Sequence, residues 1–199
     1  TEPAKGRPPL SQEHPYYVLI ESLGADREHD SIAFNAAMES AMEQGLIVDA
    51  AISQSDADCQ AFWSLRDNVE MVLHGGLPVV FDVSLPIGEM EQFAQMLRDK
   101  LPSEIGEHKL WIFGHLGDGN LHVIVQVAPQ VYMASRPKIE ALVYGGLRAF
   151  NGSVSAEHGI GLEKKPWLSV SRNPAELALM KTIKAALDPQ NILNPGKIF

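Results

Sequence analysis

Leu110-Trp111-Ile112-Phe113-Gly114-His115-Leu116-Gly117-Asp118-Gly119-Asn120-Leu121-His122-Val123-Ile124-Val125-Gln126-Val127 decides the fold class of this chain. Two apolar runs flank a Gly-rich segment over 114–120. That pattern predicts two strands joined as a hairpin with an elaborated turn. Glycine at 114, 117 and 119 admits positive φ, so the turn can fold back on itself. His115 and His122 then sit at its two ends and can converge on one point. Two neutral imidazoles on one point make a good start for a divalent metal site.

Working outward, Tyr16–Glu21 and Leu46–Ile52 have strand composition, and Val79–Leu85 reads as a further strand ended by Pro86. Helical spacing predicts helices over 26–44, 55–73, 88–100 and 132–150, with Gly45 and Asn151-Gly152 as stops. A last helix is expected over 174–187, with Asn173 as cap and Pro174 at its first position. Strands and helices alternate, but the hairpin rules out a purely parallel sheet. The expected fold is α+β and ferredoxin-like: a mostly antiparallel sheet with helices packed on one face, then a C-terminal helix and tail. Residues 1–15 read as a tail or linker, 16–187 as the domain and 188–199 as a C-terminal tail.

Composition excludes several classes. Apolar residues make up 45% and charged residues 21% of the 199, which is ordinary for a folded domain and not for a disordered one. No apolar run is long enough to span a bilayer, so no transmembrane segment is expected. A formal net charge of −9 argues against a nucleic-acid surface. The single cysteine, Cys59, cannot form an internal disulfide and reads as an inert thiol, which fits a reducing, cytoplasmic setting.

A second polar, Gly-punctuated loop, Asn151 to Gly161, carries Glu157-His158. Glu157 can supply a carboxylate as third ligand beside His115 and His122, and His158 can be a further ligand or a free base. Two histidines and one carboxylate leave coordination positions open, as a catalytic metal requires. His14, His29, His74 and His108 lie in no such constellation and read as surface or satisfied core residues.

Three segments together resemble the C-terminal domain of FAD-linked oxidases, which includes D-lactate dehydrogenases, the FAD subunit of glycolate oxidase and D-2-hydroxyglutarate dehydrogenases. They are Gly114–His122, Ser155–Lys164 and Leu187–Phe199, and Phe62–Arg66 and Phe81–Pro86 match two further segments. The resemblance implies roles. His115, His122 and Glu157 would bind a divalent metal, zinc or manganese. His158 would be the catalytic base. Arg66 would bind the substrate carboxylate, with Asn120 as a second substrate contact. The tail around Asn194 would reach the FAD, which a flavin domain of the same polypeptide would hold; no Gly-rich pyrophosphate-binding loop precedes Tyr16.

The implied reaction oxidises a small 2-hydroxy acid to the 2-oxo acid with hydride transfer to FAD. Val80, Ile124 and Glu70 stand where 2-hydroxyglutarate-type members carry Lys, Asn and Thr. These changes remove polar partners for a second carboxylate and favour a lactate-like substrate. Two other readings of the same residues are a flavin-free metal-dependent hydrolase and a non-catalytic, metal-stabilised binding module. The exposed edges of such a sheet also admit a homodimer.

Overall fold

The computed structural model describes residues 8–199, so residues 1–7 of the expected tail lie outside the described residues. Residues 8–15 form bends and turns. The chain divides into two compact units, Thr1–Met71 and Val72–Phe199.

In the first unit, α1 spans Arg27–Glu43 and α2 spans Asp56–Asp67. Each begins where a short polar side chain takes up a free N–H. Asp26 accepts from the His29 amide at 3.1 Å, and Ser55 accepts from the Asp58 amide at 3.2 Å. The expected helix over 55–73 does not continue as one α-helix: α2 stops at Asp67, and Asn68 leaves helical geometry at ψ 53°. The strands expected at Tyr16–Glu21 and Leu46–Ile52 are not formed. Both segments have strand-like side chains, but a strand exists only where a neighbour completes its ladder, and neither finds one among the described residues. Their apolar side chains stand in the open, with Tyr16 86% and Val48 77% exposed.

The second unit is built on a three-stranded antiparallel sheet. Its strands are β1 (Leu77–Ser84), β2 (Lys109–His115) and β3 (Asn120–Val127), in the order β1-β3-β2. The predicted hairpin is β2-β3. Strand alternation gives the sheet two different faces. Val79, Phe81, Val83, Leu121, Val123, Val125 and Val127 share one face and are all buried. Helices α3 (Met90–Ile105) and α4 (Tyr132–Gly146) cover it with Phe93, Leu97, Leu101, Ile139 and Val143. Burying each of these side chains contributes about 1.5–3 kcal/mol. Helix α3 continues past residue 100, through Pro102, because the fully buried Leu101 anchors its last turn. The mixed α+β expectation is met in this unit.

The other face is chemically distinct. The ladder aligns Asp82, His122 and Phe113 in one row and Ser84, Asn120 and His115 in the next, toward the hairpin turn. Val80, Ile124 and Trp111 form the row on the far side of His122.

After α4, a short helix α5 (Leu168–Ser171) precedes α6 (Pro174–Leu187). Asn173 caps α6 and Pro174 is its first residue, as the sequence predicts, and Glu176 completes a reciprocal capping box. The tail beyond α6 is irregular yet held. Asp188 accepts from the amides of Ile192 and Leu193, both at 2.9 Å, and pairs with Lys184. No helix among the described residues is long and apolar enough to cross a membrane.

The hairpin turn depends on Gly119. Its φ is +73°, and a Cβ there would lie 2.2 Å from the Leu85 carbonyl oxygen. That close approach allows the Leu85 amide to donate to the Gly119 carbonyl at 2.9 Å. Gly119→Ala is therefore expected to cost ~2 kcal/mol or more, from left-handed strain plus a backbone collision. Thermal unfolding checks this; an unchanged Tm refutes it.

Candidate metal centre

Three short pieces of chain meet at the turn end of the polar sheet face. The hairpin supplies His115 and His122, whose ring centroids lie 5.3 Å apart in an edge-to-face arrangement. The loop after α4 supplies Glu157 and His158. That loop is tied to the end of β1: the Ser84 amide donates to the Ser153 carbonyl at 3.0 Å, and the Ser153 amide returns the bond at 2.7 Å. The carboxylate of Glu157 then stands 3.8 Å from His122 Nε2.

Ligand atoms of His115, His122 and Glu157 all lie within 4.8 Å of one another. A tetrahedral ion with bonds of about 2.0–2.2 Å would need donor separations of roughly 3.4 Å. The donors thus have to draw inward by about an ångström. The exposed His115 and Glu157 side chains can make that adjustment. Two imidazoles and a carboxylate form a donor set suited to zinc or manganese, so the residues fit a divalent cation.

His158 lies beside this triad. Its ring stacks at 23° to that of His122 with centroids 6.2 Å apart, and its Nε2 is 3.6 Å from Glu157 Oε1. Its side chain is 60% exposed, open to an incoming molecule. Asn120 is buried on the neighbouring row, and its Oδ1 has no hydrogen-bond partner among the described residues.

The other two sequence-selected residues lie on other elements. Asn194 is on the C-terminal tail, exposed, with φ +47°. Arg66 lies on α2 of the first unit, paired with Asp67 at 2.8 Å and stacked over Trp63 at 5.9 Å.

Sequence reasoning missed the pair beneath the loop, Asp82 and Lys164, both nearly inaccessible. Asp82 Oδ2 accepts from the amides of His158 at 2.8 Å and Glu157 at 3.0 Å. Lys164 Nζ donates to the Asp82 carbonyl at 3.1 Å and to Ser155 Oγ at 2.9 Å, and lies 3.4 Å from Asp82 Oδ2. Burial pushes the Asp82 carboxyl up. The two amide donors, the Lys164 ammonium and His158 outweigh it and hold the group below the usual carboxylate range. One signal was available: an aspartate inside the apolar run Val79-Val80-Phe81-Asp82-Val83.

The fold and this cluster define an α+β domain with a two-histidine, one-carboxylate centre at the end of an antiparallel hairpin. A family model described as FAD linked oxidases, C-terminal domain, matches residues 2–198, and the chain belongs to that family. It is 40% identical over 195 residues to a D-2-hydroxyglutarate dehydrogenase of Xanthomonas citri pv. viticola, covering 96% of this chain and 41% of the relative. It is 37% identical over 191 residues to the mitochondrial D-2-hydroxyglutarate dehydrogenase of Bos taurus, covering 94% and 34%. A mitochondrial Schizosaccharomyces pombe protein, provisionally named a D-lactate dehydrogenase, is 35% identical over 199 residues, covering 95% and 38%. The chain thus spans about two fifths or less of the length of these relatives.

Proposed function

We propose that this chain is the substrate- and metal-binding part of a flavin-dependent D-2-hydroxy acid dehydrogenase. The observation that carries the proposal is the convergence of His115, His122 and Glu157, with His158 alongside. In this reading those three residues hold a zinc or manganese ion. A bound divalent cation would act as a Lewis acid on the substrate's hydroxyl and carboxylate. FAD, held by another domain of the same polypeptide, would take up the hydride.

The residues of this chain do the rest. His158 removes the hydroxyl proton at Nε2, the ring atom facing Glu157 and the cluster. The Cα hydrogen leaves as hydride, and the 2-oxo acid remains. Arg66 is assigned to the substrate carboxylate, which its planar guanidinium can grip through two parallel bonds. Asn120 is assigned to a second substrate contact because its buried Oδ1 lacks a partner among the described residues. Asn194, on the tail, is assigned to the flavin side. A cytoplasmic setting is part of the same proposal, and cell fractionation tests it.

We infer a substrate with a short or apolar side chain, such as D-lactate. Beside His122, the next row of the polar face holds Val80, Ile124 and Trp111, with no cation for a second carboxylate. Its Val80 and Ile124 side chains offer a second carboxylate no charge and no hydrogen bond, a cost that grows as the bound substrate shuts out water. Two of the relatives carry 2-hydroxyglutarate in their names, which sets up a sharp test. Steady-state kinetics of the full-length flavoprotein should give a kcat/KM for D-lactate at least tenfold above that for D-2-hydroxyglutarate. The reverse preference would remove the lactate assignment and leave the dehydrogenase reading standing. Absence of turnover with any D-2-hydroxy acid would remove both.

A further inference from the structure

Glu157 and His158 have little to hold them from the side-chain end. Both side chains are more than half exposed, and Gly159 and Gly161, with φ +75° and +55°, follow in the same loop. Their placement has to come from the main chain. The two amides that fix it both point to one atom, Asp82 Oδ2. Asp82 itself is 1% exposed, in a strand paired along its length with β3. Its backbone is held in the ladder with β3, so the clamp ties the loop to the sheet.

The same residue sits in register with the other half of the cluster. Asp82 stands directly across the ladder from His122, on the same face, where side chains of paired residues are neighbours. Its second oxygen, Oδ1, is buried and has no partner among the described residues. The imidazole that the carboxylate does approach is that of His158, whose Nδ1 lies 3.8 Å from Asp82 Oδ2. A second cation at Asp82, Glu157 and His158 is disfavoured, although those donors also lie within 4.8 Å of one another. The Lys164 ammonium already supplies the positive charge there, 3.4 Å from Asp82 Oδ2.

We propose that Asp82 is a positioning residue: its carboxylate, seated on Lys164, clamps the amides of Glu157 and His158 and so aims the third ligand and the base at the His115–His122 pair. This inference rests on reading the cluster as a metal centre. Lys164 also bonds Ser155 Oγ and the Asp82 carbonyl, and thereby joins the loop's first residues to the strand.

The test uses the full-length flavoprotein and three variants: Asp82→Ala, Asp82→Asn and the double variant Asp82→Ala/Lys164→Met. Zinc affinity is measured by competition with a chelator, and kcat and KM at saturating zinc. Urea unfolding is followed with chelator present, so that fold stability is read without metal. Asp82→Ala should weaken zinc binding roughly 10–100-fold and lower kcat more than it raises KM. Asp82→Asn should retain part of the affinity, because its carbonyl oxygen can still accept the two amides. Removing Asp82 alone strands the buried ammonium, so that variant's fold is at risk. The double variant removes both charges and should regain the unfolding midpoint without regaining zinc affinity. Zinc affinity within twofold of the unmodified protein, in either folded alanine variant, overturns the proposal. An unmodified protein that binds neither zinc nor manganese overturns the metal reading itself.

Discussion

Replacing His122 with alanine in the full-length protein is expected to abolish stoichiometric metal binding and to lower kcat/KM by ~10³-fold or more. His122 is the hub of the cluster. It is 5.3 Å from the His115 ring, 3.8 Å from the Glu157 carboxylate and stacked with His158. Only 17% of its side chain is exposed, so no other side chain can move into its place without disturbing the sheet. Two donors, one on the hairpin and one on the loop, would remain. Loss of a residue that merely orients a ligand typically costs 10–100-fold in affinity, and loss of a ligand should exceed that. The strand itself should survive, because the buried valines at 123 and 125 face the opposite side. Metal analysis and steady-state kinetics check the prediction, with circular dichroism as the control for folding. A folded variant that keeps its metal and its rate would eliminate the cluster as the catalytic centre.

The second large effect separates a ligand from a base. His158→Ala is expected to lower kcat by roughly 10²–10⁴-fold, the usual contribution of a positioned proton acceptor. Metal content should stay near that of the unmodified protein, because His158 lies outside the three-donor set of His115, His122 and Glu157. Its exposure favours this assignment, since a proton acceptor must be reachable by substrate. Loss of metal in proportion to activity would make His158 a ligand instead. Full activity with metal retained would leave it with no chemical role.

The parts of this protein that were legible in its sequence are those specified locally. The β2-β3 hairpin follows from two apolar runs around a glycine turn, and α6 from the Asn173-Pro174 start. The meeting of His115, His122, Glu157 and His158 was legible because the first pair flanks a glycine-rich turn and the second sits in a glycine-punctuated polar loop. The strands expected at 16–21 and 46–52 failed for the complementary reason. Side-chain composition gives a segment its preference for extended backbone, but only a partner gives it hydrogen bonds. Asp82 and Lys164 were hidden because the pair spans 82 positions: each lies in a segment that carries the resemblance, but nothing in either segment marks one as the partner of the other. An aspartate flanked by buried Phe81 and Val83 was the available clue, since a charge enters such a strand only with compensation.

The chain path to the cluster also bears on folding. His115 and His122 lie on one hairpin, whereas Glu157 arrives only after the whole of α4 has crossed the sheet. A cation held by all three would cross-link the hairpin to a loop that is otherwise tied to β1, through the Ser84–Ser153 bridge and the bonds of Asp82 and Lys164. Anything that binds the native state and not the unfolded one stabilises it by mass action, about 2.7 kcal/mol at a free concentration a hundredfold above Kd. The unfolding midpoint would then track the ambient metal level. Under chelation the loop bearing Glu157 and His158 should exchange its amides faster than with metal bound, before the sheet beneath it opens.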